Sequence, residues 1–362
     1  MGTKLIKLFM LALIIGAIFL SSVRFGLAAE KGEVIVATTG MTVSWIKSWA
    51  EDFEKQTGIK VTAVSHWVTG AKLSAMAKTK NVEFDVTQLN IPGIDVGIKE
   101  NILLPIDYDS FSREDLKNIE YTPEFKHPYG VAFMAFGRGM AYSPEKYPEG
   151  TPHPTTWVEF WDVNNFPARR SISLAWSFAP FEGALMADRV PMDKLYPLDL
   201  ERAFRSLDKI RPYIHKFAMT NTETDQLFIS KEVELADGWY TTLMTSMRKG
   251  APIRLEYSQG EFAFNSLSIL KGPNGKANAM EFIKFAMQPK IQAKIVEYGY
   301  APINKRAYAF VDPQIAKVLP SYPENFKKMF LRDETWWAQM TPKGKTNRDL
   351  ATDMLNSWML KK

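Results

Sequence analysis

The chain has 362 residues, of which 46% are hydrophobic and 23% charged, so it can bury a large core; this excludes intrinsic disorder and suggests two or three domains. Its formal charge of +5 is partly due to Lys4, Lys7 and Arg24 near the start, and the other charges are interspersed without a basic block. This pattern excludes nucleic acid and anionic membranes as expected partners. The absence of cysteine excludes disulfides, a thiol nucleophile and a lipid-modified cysteine.

The first residues have the pattern of a secretory leader. A short basic start is followed by an apolar run and by small residues, with cleavage after Ala28 or after Ala29 as the two alternatives. The apolar run is short for a bilayer span, which takes roughly 20 residues, so a cleaved leader is favoured over an anchor helix. We therefore predict a signal peptide at residues 1–29 and a mature protein in the periplasm.

Strands and helices alternate from Glu33 onward. The stretch EVIVA reads as a strand, VSWIKSWAEDFEKQTG as one helix ending before Gly58, and IKVTAVS as the next strand. Trp45 and Trp49 are four residues apart on one helix face and are predicted to pack in the core. Further strands are predicted in FDVTQLN, YGVAFMAFGRGMAY, SISLAW, VELADGWY and EFAFNSLSIL. This alternation favours an α/β fold with mostly parallel sheets.

Two positions in this pattern indicate where a ligand binds. Gly137 and Gly139 interrupt an extended apolar run, which suits a strand that bends or crosses between domains. The turn ATTGMTVSW follows the first strand, and ligands of parallel α/β sheets bind at the carboxyl ends of strands. Thr42 is predicted to cap the helix that follows, with Thr39 and Met41 offered to a ligand.

Motifs of common catalytic and metal sites are missing from the sequence. The histidines are scattered, and there is no G-x-S-x-G, Walker or G-x-G-x-x-G motif. We therefore predict no metal, no cofactor and no enzymatic activity. The alternative is a secreted hydrolase with an acid pair, although the sequence marks no such pair.

Several phrases in order resemble extracellular solute-binding proteins of ABC importers, in particular the spermidine/putrescine-binding branch. They are FEKQTGIKV, FDV, ENILLPID, PTTWVEFWD and FIKFAMQPKIQAKIVEYGYAPINKRA. The resemblance implies a two-lobed periplasmic binding protein fold of type II-like topology with crossing hinge strands. It also implies a small-molecule solute, an ABC permease in the cytoplasmic membrane as partner, and a monomer. Lobe 1 is expected at 30–138 plus 264–303, and lobe 2 at 139–263 plus 304–362.

Polyamine binders of this family hold the methylene chain between aromatic rings and the ammonium groups with carboxylates. This chain departs from that pattern at three places. Met41 stands where the first turn of the family carries a ring, Pro92 replaces another ring, and Asn265 replaces an acid. Asn90 keeps a polar group after FDVTQLN. In the first turn Gly40, Met41 and Ser44 stand where the family has an Asn-Trp-x-x-Tyr pattern, which removes two aromatic walls; Pro92 removes a further ring and Asn265 one charge.

Other candidate ligand contacts lie in the expected second lobe. Trp239 and Tyr240 end a strand that resembles the family's Trp-Asn-Gly strand end. Glu182 is the only carboxylate near the expected strand-to-helix turn, and it is either an ammonium partner or a solvated acid in the first turn of a helix. Trp176 and Ser177 lie beside it, with Trp176 as pocket wall or core.

Arg138 is the one cation in the apolar crossing strand. It could grip a carboxylate or phosphonate in bidentate fashion, or form a salt bridge between the lobes. Asp237 is a candidate partner for that salt bridge, or a helix cap.

Two classes of solute compete at this stage. The resemblance, with Trp239 and Glu182, favours a polyamine-like cation. A small organic anion or neutral solute is supported by Thr38, Thr39, Thr42 and Arg138. Ferric iron is a further alternative because of Tyr298 and Tyr300.

Overall fold

The structure is a computed structural model that describes residues 32–119, 122–175 and 180–361. The predicted leader at 1–29 lies outside these residues, as do Trp176 and Ser177. Within the described part of the chain, no helix has the length and apolar character that crossing a membrane requires.

Twelve strands of the described residues form one mixed sheet. Their bounds are β1 Glu33–Thr38, β2 Lys60–Ser65, β3 Val86–Leu89, β4 Leu103–Leu104, β5 Lys126–His127, β6 Gly130–Tyr142, β7 Arg170–Ser173, β8 Ile214–Ala218, β9 Leu235–Trp239, β10 Arg254–Leu270, β11 Ala301–Pro302 and β12 Phe330–Leu331. The main strands follow the order β2-β1-β3-β10-β6-β9-β7-β8. The antiparallel pair β10-β6 joins two parallel sets, β2-β1-β3 and β9-β7-β8. The predicted α/β class is confirmed.

The α-helices surround this sheet and complete the alternation. Their bounds are α1 Gly40–Lys47, α2 Ala50–Thr57, α3 Gly70–Thr79, α4 Ile91–Lys99, α5 Arg113–Asn118, α6 Trp157–Trp161, α7 Phe181–Ala187, α8 Leu200–Ile210, α9 Asn221–Ile229, α10 Tyr240–Arg248, α11 Gly275–Ala286, α12 Pro289–Lys294, α13 Pro313–Ala316, α14 Pro323–Phe326, α15 Glu334–Ala338 and α16 Asn347–Leu360.

The single helix predicted over residues 43–58 is wrong, because the chain forms two helices there, α1 and α2. The break falls at Ser48, whose hydroxyl donates a hydrogen bond to the carbonyl of Trp45 at 2.7 Å. Such a bond from a side chain to the backbone competes with helix continuation. The extended Thr39 precedes the helix, so Thr42 lies inside α1 and the predicted cap at Thr42 is also wrong.

The two long strands β6 and β10 run through both halves of the sheet. β10 pairs with β6 in two stretches, Arg254–Glu256 with Met140–Tyr142 and Glu261–Leu267 with Val131–Arg138. The register shifts between these stretches, where Gln259 has a positive φ of 58°. The irregularity therefore divides the long pairing of β6 with β10 into two segments.

An aromatic cluster fills the core of the first half. Trp45 and Trp49 are 0% and 1% exposed, and their ring centroids lie 5.3 Å apart. Trp49 also lies 5.2 Å from Phe282 and 5.4 Å from Phe285. Edge and tilted contacts at these separations add to the gain from burial. The predicted packing role of both tryptophans is confirmed.

A second core lies under the other half of the sheet. Its largest members are Trp157, Phe160, Phe181, Trp337 and Trp358. The final helix α16 contributes Trp358, whose indole N–H donates to Asp208 at 2.6 Å. The C-terminus is therefore part of the second half of the molecule.

Asp225 is a buried acid in α9, and it gives a pH-dependent prediction. The side chain is 6% exposed; one carboxyl oxygen accepts from Ser246 at 2.8 Å, and the other has no partner among the described residues. Burial raises the pKa of Asp225 to about 6, above its unfolded value, so its contribution to stability is present at low pH and is lost as pH rises through about 6. Asp225→Asn is expected to raise the melting temperature by about 2–4 °C at pH 8.

Calorimetry of Asp225→Asn at pH 5 and pH 8 tests this expectation. The increase should be clearly smaller at pH 5, where the wild-type carboxyl is largely protonated. Equal changes at both pH values would contradict the account.

Candidate functional site

The carboxyl ends of strands from both halves lie beside one stretch of β6, from Met134 to Arg138. Ser173, which ends β7, accepts a hydrogen bond through its carbonyl from the Arg138 guanidinium at 2.5 Å. Trp239, which ends β9, is opposite Arg138 in the sheet register. At the other end of the stretch, the Met134 sulfur lies 4.0 Å from the Thr42 hydroxyl. This convergence locates the candidate site where ligands of such sheets bind.

The hydroxyls of the first loop form a network with Gln88. Thr38 donates to the Gln88 side-chain oxygen, and Thr42 donates to the same oxygen at 3.2 Å. The Thr39 and Thr42 hydroxyls lie 3.1 Å apart. Met41 is 47% exposed. Of these predicted contacts, Thr42 is buried, Thr39 is half-buried and Met41 is exposed.

Arg138 forms a buried ion pair with Asp237. Its Nε and Nη2 atoms donate to the two carboxylate oxygens at 2.9 Å and 2.5 Å. The side chains are 4% and 0% exposed. The backbone N–H of Ser173 donates to the same carboxylate at 3.2 Å. Of the two predicted roles of Arg138, the salt bridge is the one that the structure contains.

The glycine beside Arg138 makes room for a protein side chain. A Cβ atom at Gly139 would lie 1.9 Å from the Tyr240 hydroxyl. Tyr240 is 0% exposed, and its hydroxyl donates to the Glu256 carbonyl at 2.5 Å. Tyr240, predicted as a ligand contact, therefore lies in the core behind the crossing strands.

Three aromatic rings form a corner next to Arg138. Phe136 lies 6.0 Å from Trp239 and 6.4 Å from Tyr300, measured between ring centroids. The Arg138 guanidinium carbon is 5.9 Å from the Trp239 ring. Burial raises the pKa of Tyr300, and a hydrogen bond with Thr39 acts against that shift. The corner thus connects the end of β9 with the first loop.

The indole N–H of Trp239 is the unusual group of this corner. Its nitrogen is buried and has no hydrogen-bond partner among the described residues. A buried donor without an acceptor costs free energy on the order of 1–3 kcal/mol. An acceptor supplied by a bound molecule would remove that cost.

Glu182 is buried rather than solvated. It is 4% exposed and accepts hydrogen bonds from the Tyr196 hydroxyl at 2.6 Å and from the Trp337 indole at 3.2 Å. The alternative of a solvated acid in the first turn of a helix is therefore wrong. Its neighbours in sequence, Trp176 and Ser177, lie outside the described residues.

The two predicted amides occupy different parts of the site. Asn90 caps α4, because its side-chain oxygen accepts from the Gly93 N–H at 3.1 Å. Its side-chain nitrogen donates to Glu334 at 3.4 Å. Asn265 is 7% exposed on β10, opposite Met134 in the sheet register.

A cluster of buried charges continues from these residues toward the C-terminus. Arg332 lies 3.1 Å from Glu261 and 3.3 Å from Glu334, and Arg348 lies 3.1 Å from Glu334. Burial raises the pKa of Glu261 to about 7, although the Arg332 charge opposes the shift. The cluster therefore places a buried carboxyl with a raised pKa next to β6.

A cavity of about 520 Å³ adjoins this cluster. Residues from both halves line it, including Ile91 of α4, Tyr196 before α8, and Ala263 of β10. Its charged lining residues are Glu124, Asp193, Arg332, Asp333 and Glu334. Four acidic residues and one arginine thus line a single cavity, and one of the acids, Glu334, is paired with Arg332 and Arg348.

Several of these residues are absent from the candidates that the sequence provides. Phe136 precedes Arg138 by two residues and shares its face of β6, so strand periodicity was a usable signal. Arg332 and Glu334 follow a late apolar stretch, and no local pattern indicates that this stretch reaches the cleft. The sequence indicates Tyr300 only as an iron ligand.

A family model described as bacterial extracellular solute-binding protein matches residues 48–327. The chain belongs to the bacterial extracellular solute-binding proteins. This result confirms the resemblance drawn from the sequence phrases.

Relatives and solved structures agree with this family. A γ-aminobutyric acid-binding protein of Pseudomonas aeruginosa is 25% identical over 297 residues, which are 80% of this chain and 82% of the relative. The crystal structure of an ABC transporter protein from Rhodopseudomonas palustris has a TM-score of 0.70 at 31% identity, covering 91% of this chain and 99% of that one. The Atu4243 GABA receptor has a TM-score of 0.74 at 27% identity, covering 91% and 98%.

The polyamine-binding branch shares the fold at lower identity. A spermidine/putrescine ABC transporter substrate-binding protein from Streptococcus pneumoniae has a TM-score of 0.69 at 17% identity, covering 91% of this chain and 99% of that one. At this identity the likeness shows the fold alone.

These findings establish the two-lobed fold of periplasmic binding proteins and the class of function. This solute-binding protein serves an ABC transporter in the periplasm or outside the cell, and its relatives are binding proteins rather than enzymes. A small-molecule ligand and a membrane permease as partner follow from that class.

Proposed function

We propose that this solute-binding protein captures one small ammonium-bearing solute, specifically a short ω-amino acid such as γ-aminobutyric acid. The observation that carries the proposal is the charge of the residues that line the 520 Å³ cavity, which include four acids and one arginine. An excess of negative charge in a partly enclosed cavity attracts a cation. Two of the relatives are named for γ-aminobutyric acid.

The Trp239 indole favours an ω-amino acid over a polyamine. Its buried N–H has no acceptor among the described residues. A protonated polyamine offers only donors, whereas a carboxylate offers acceptors. The rings of Phe136, Trp239 and Tyr300 do not line the 520 Å³ cavity; they provide an apolar surface for a short methylene chain in the corner beside Arg138.

The remaining elements of the proposal concern the mature protein and its movement. We propose that residues 1–29 are removed as a signal peptide, and that the protein acts as a periplasmic monomer that closes on its solute. The proposed lobes are those predicted from the sequence, with one change. The core of the first half contains Leu319 and Met329 as well as Ile303. We therefore assign residues 304–329 to lobe 1 rather than to lobe 2.

Calorimetric titration of residues 30–362 tests the solute class. Four probes are compared: γ-aminobutyric acid, putrescine, spermidine and succinate. The expected result is saturable binding of γ-aminobutyric acid and weaker or no binding of the diamine and triamine. Binding of polyamines alone would support the polyamine interpretation instead, and binding of succinate alone would overturn the ammonium proposal.

A pair of Trp239 variants separates the two functions of that side chain. Trp239→Phe keeps a ring but removes the donor, and is expected to weaken binding of γ-aminobutyric acid about fivefold, since one hydrogen bond is worth about 1 kcal/mol. Trp239→Ala removes the ring as well and is expected to weaken binding further. Equal affinity of Trp239→Phe and wild type in titration calorimetry would show that the N–H does not contact the solute.

A further inference from the structure

The segment from Phe330 to Ala338 begins along the cavity, which its residues from Phe330 to Thr335 line. Phe330 and Leu331 pair with Glu261 and Phe262 of β10. Helix α15 follows and packs against α4 of the first half. Its residue Trp337 is buried in the core of the second half. The segment therefore touches the crossing strand and both halves.

Glu334 is the polar contact of this segment with the first half. One carboxylate oxygen accepts from Asn90 at 3.4 Å and from Arg348 at 3.1 Å, and the other lies 3.3 Å from Arg332. Arg348 belongs to α16, which packs in the second core. The carboxylate thus connects the end of β3 with the C-terminal part of the second half.

The orientation of the Asn90 amide is set by its role as a helix cap. Its oxygen accepts from the Gly93 N–H at 3.1 Å, so the nitrogen is the atom directed at Glu334. An amide donor therefore meets a carboxylate beside the cavity, which Ile91 and Glu334 both line. The contact joins residues 244 positions apart in the sequence.

We propose that Asn90 and Glu334 form a latch that holds the two lobes closed. The latch rests on the proposed closure of the lobes, but not on the identity of the solute. The contact is present only where the lobes meet, so it stabilises the closed state relative to the open one. A contact of this kind sets the closed fraction of the unliganded protein and thereby the apparent affinity for any solute.

Asn90→Asp breaks the latch while keeping the cap. An aspartate oxygen still accepts from Gly93, but a second carboxylate then faces Glu334 in place of the donor. We expect a smaller closed fraction and a solute affinity about fivefold to tenfold lower, in line with a like-charge contact near a protein surface. Thr69→Asp is the matched control. In the wild type, the Thr69 side chain caps α3 in the same half by accepting from the Lys72 N–H. The Thr69→Asp variant therefore adds a carboxylate at a helix cap, as Asn90→Asp does, but away from Glu334.

Distances between spin labels measure closure without any solute. The chain lacks cysteine, so cysteines introduced at the exposed Lys78 and Glu201, one in each half, are labelled specifically. The wild type and Thr69→Asp should show a larger population with the short distance between the two labels, which is the closed state, than Asn90→Asp does. Adding Glu334→Gln to Asn90→Asp supplies a donor opposite the new acid and should restore part of the short-distance population.

Two results would overturn the latch. One is the same distance distribution in wild type and Asn90→Asp, with both folded as judged by equal melting temperatures. The other is a loss of the short distance in Thr69→Asp equal to that in Asn90→Asp. Because these measurements need no solute, a failure of the ω-amino acid proposal in the titrations leaves them interpretable.

Discussion

Replacing Arg170 with methionine is expected to lower the free energy of unfolding by about 3–4 kcal/mol. Arg170 is 1% exposed, and its guanidinium donates to the carbonyls of Phe160, Asp162, Phe166 and Ala168. Methionine fills much of the volume but donates nothing, so these buried carbonyls lose their partner. The Arg170 side chain thereby also holds the loop between α6 and β7 in place. Denaturation in urea, followed by tryptophan fluorescence, measures the loss.

Arg170→Lys is the informative control for this prediction. Lysine keeps the charge, but its compact ammonium group cannot reach four carbonyls spread around a planar fork. An intermediate loss is expected. If the methionine variant unfolds at the same urea concentration as wild type, the carbonyl contacts do not contribute to stability.

Replacing Asp237 with asparagine is expected to cost about 3–5 kcal/mol. Arg138 would keep its charge in the interior without the carboxylate that now accepts from both Nε and Nη2. The size of the asparagine side chain is almost the same, so the loss reports charge rather than packing. Differential scanning calorimetry at neutral pH should therefore show a clear fall in melting temperature.

A double variant distinguishes the net contribution of the ion pair to stability from the free energy lost when only one of its charges is removed. Arg138→Met with Asp237→Leu removes both charges, and buried pairs replaced in this way often retain stability. The double variant is expected to be more stable than Asp237→Asn alone. A double variant that is less stable than the single one would indicate that Arg138 contributes through contacts other than Asp237.

Much of the fold follows from local patterns in the sequence. The strands of the two parallel sets appear as apolar runs, and the glycines at 137 and 139 lie in a strand that does cross between the halves. The break at Ser48 was missed because apolar periodicity continues through it. The structure shows the break in the backbone angles of Trp49, φ −140° and ψ 0°, which are not helical, next to the bond from the Ser48 hydroxyl to the Trp45 carbonyl.

The site was less accessible to sequence reasoning, because its residues are brought together by tertiary structure. Arg138 and Asp237 were both recognised as candidates, yet their pairing depends on the alignment of β6 with β9. Glu182 has a local pattern typical of an exposed helix start, but Tyr196 and Trp337 cover it. No residue near Glu334 in the sequence indicates that this segment lies along the cavity.

The position of β10 also determines the order in which the protein can assemble during synthesis. β3 pairs with β1 on one side and with β10 on the other, where Leu89 lies opposite Ser266. The amino-terminal strands therefore leave the ribosome long before the strand that completes their sheet. Such distant pairing folds slowly, because the intervening chain must be closed into a loop first. The set β2-β1-β3 therefore cannot be joined to the rest of the sheet until β10 has been made, so this part of the chain stays incompletely folded for most of its synthesis.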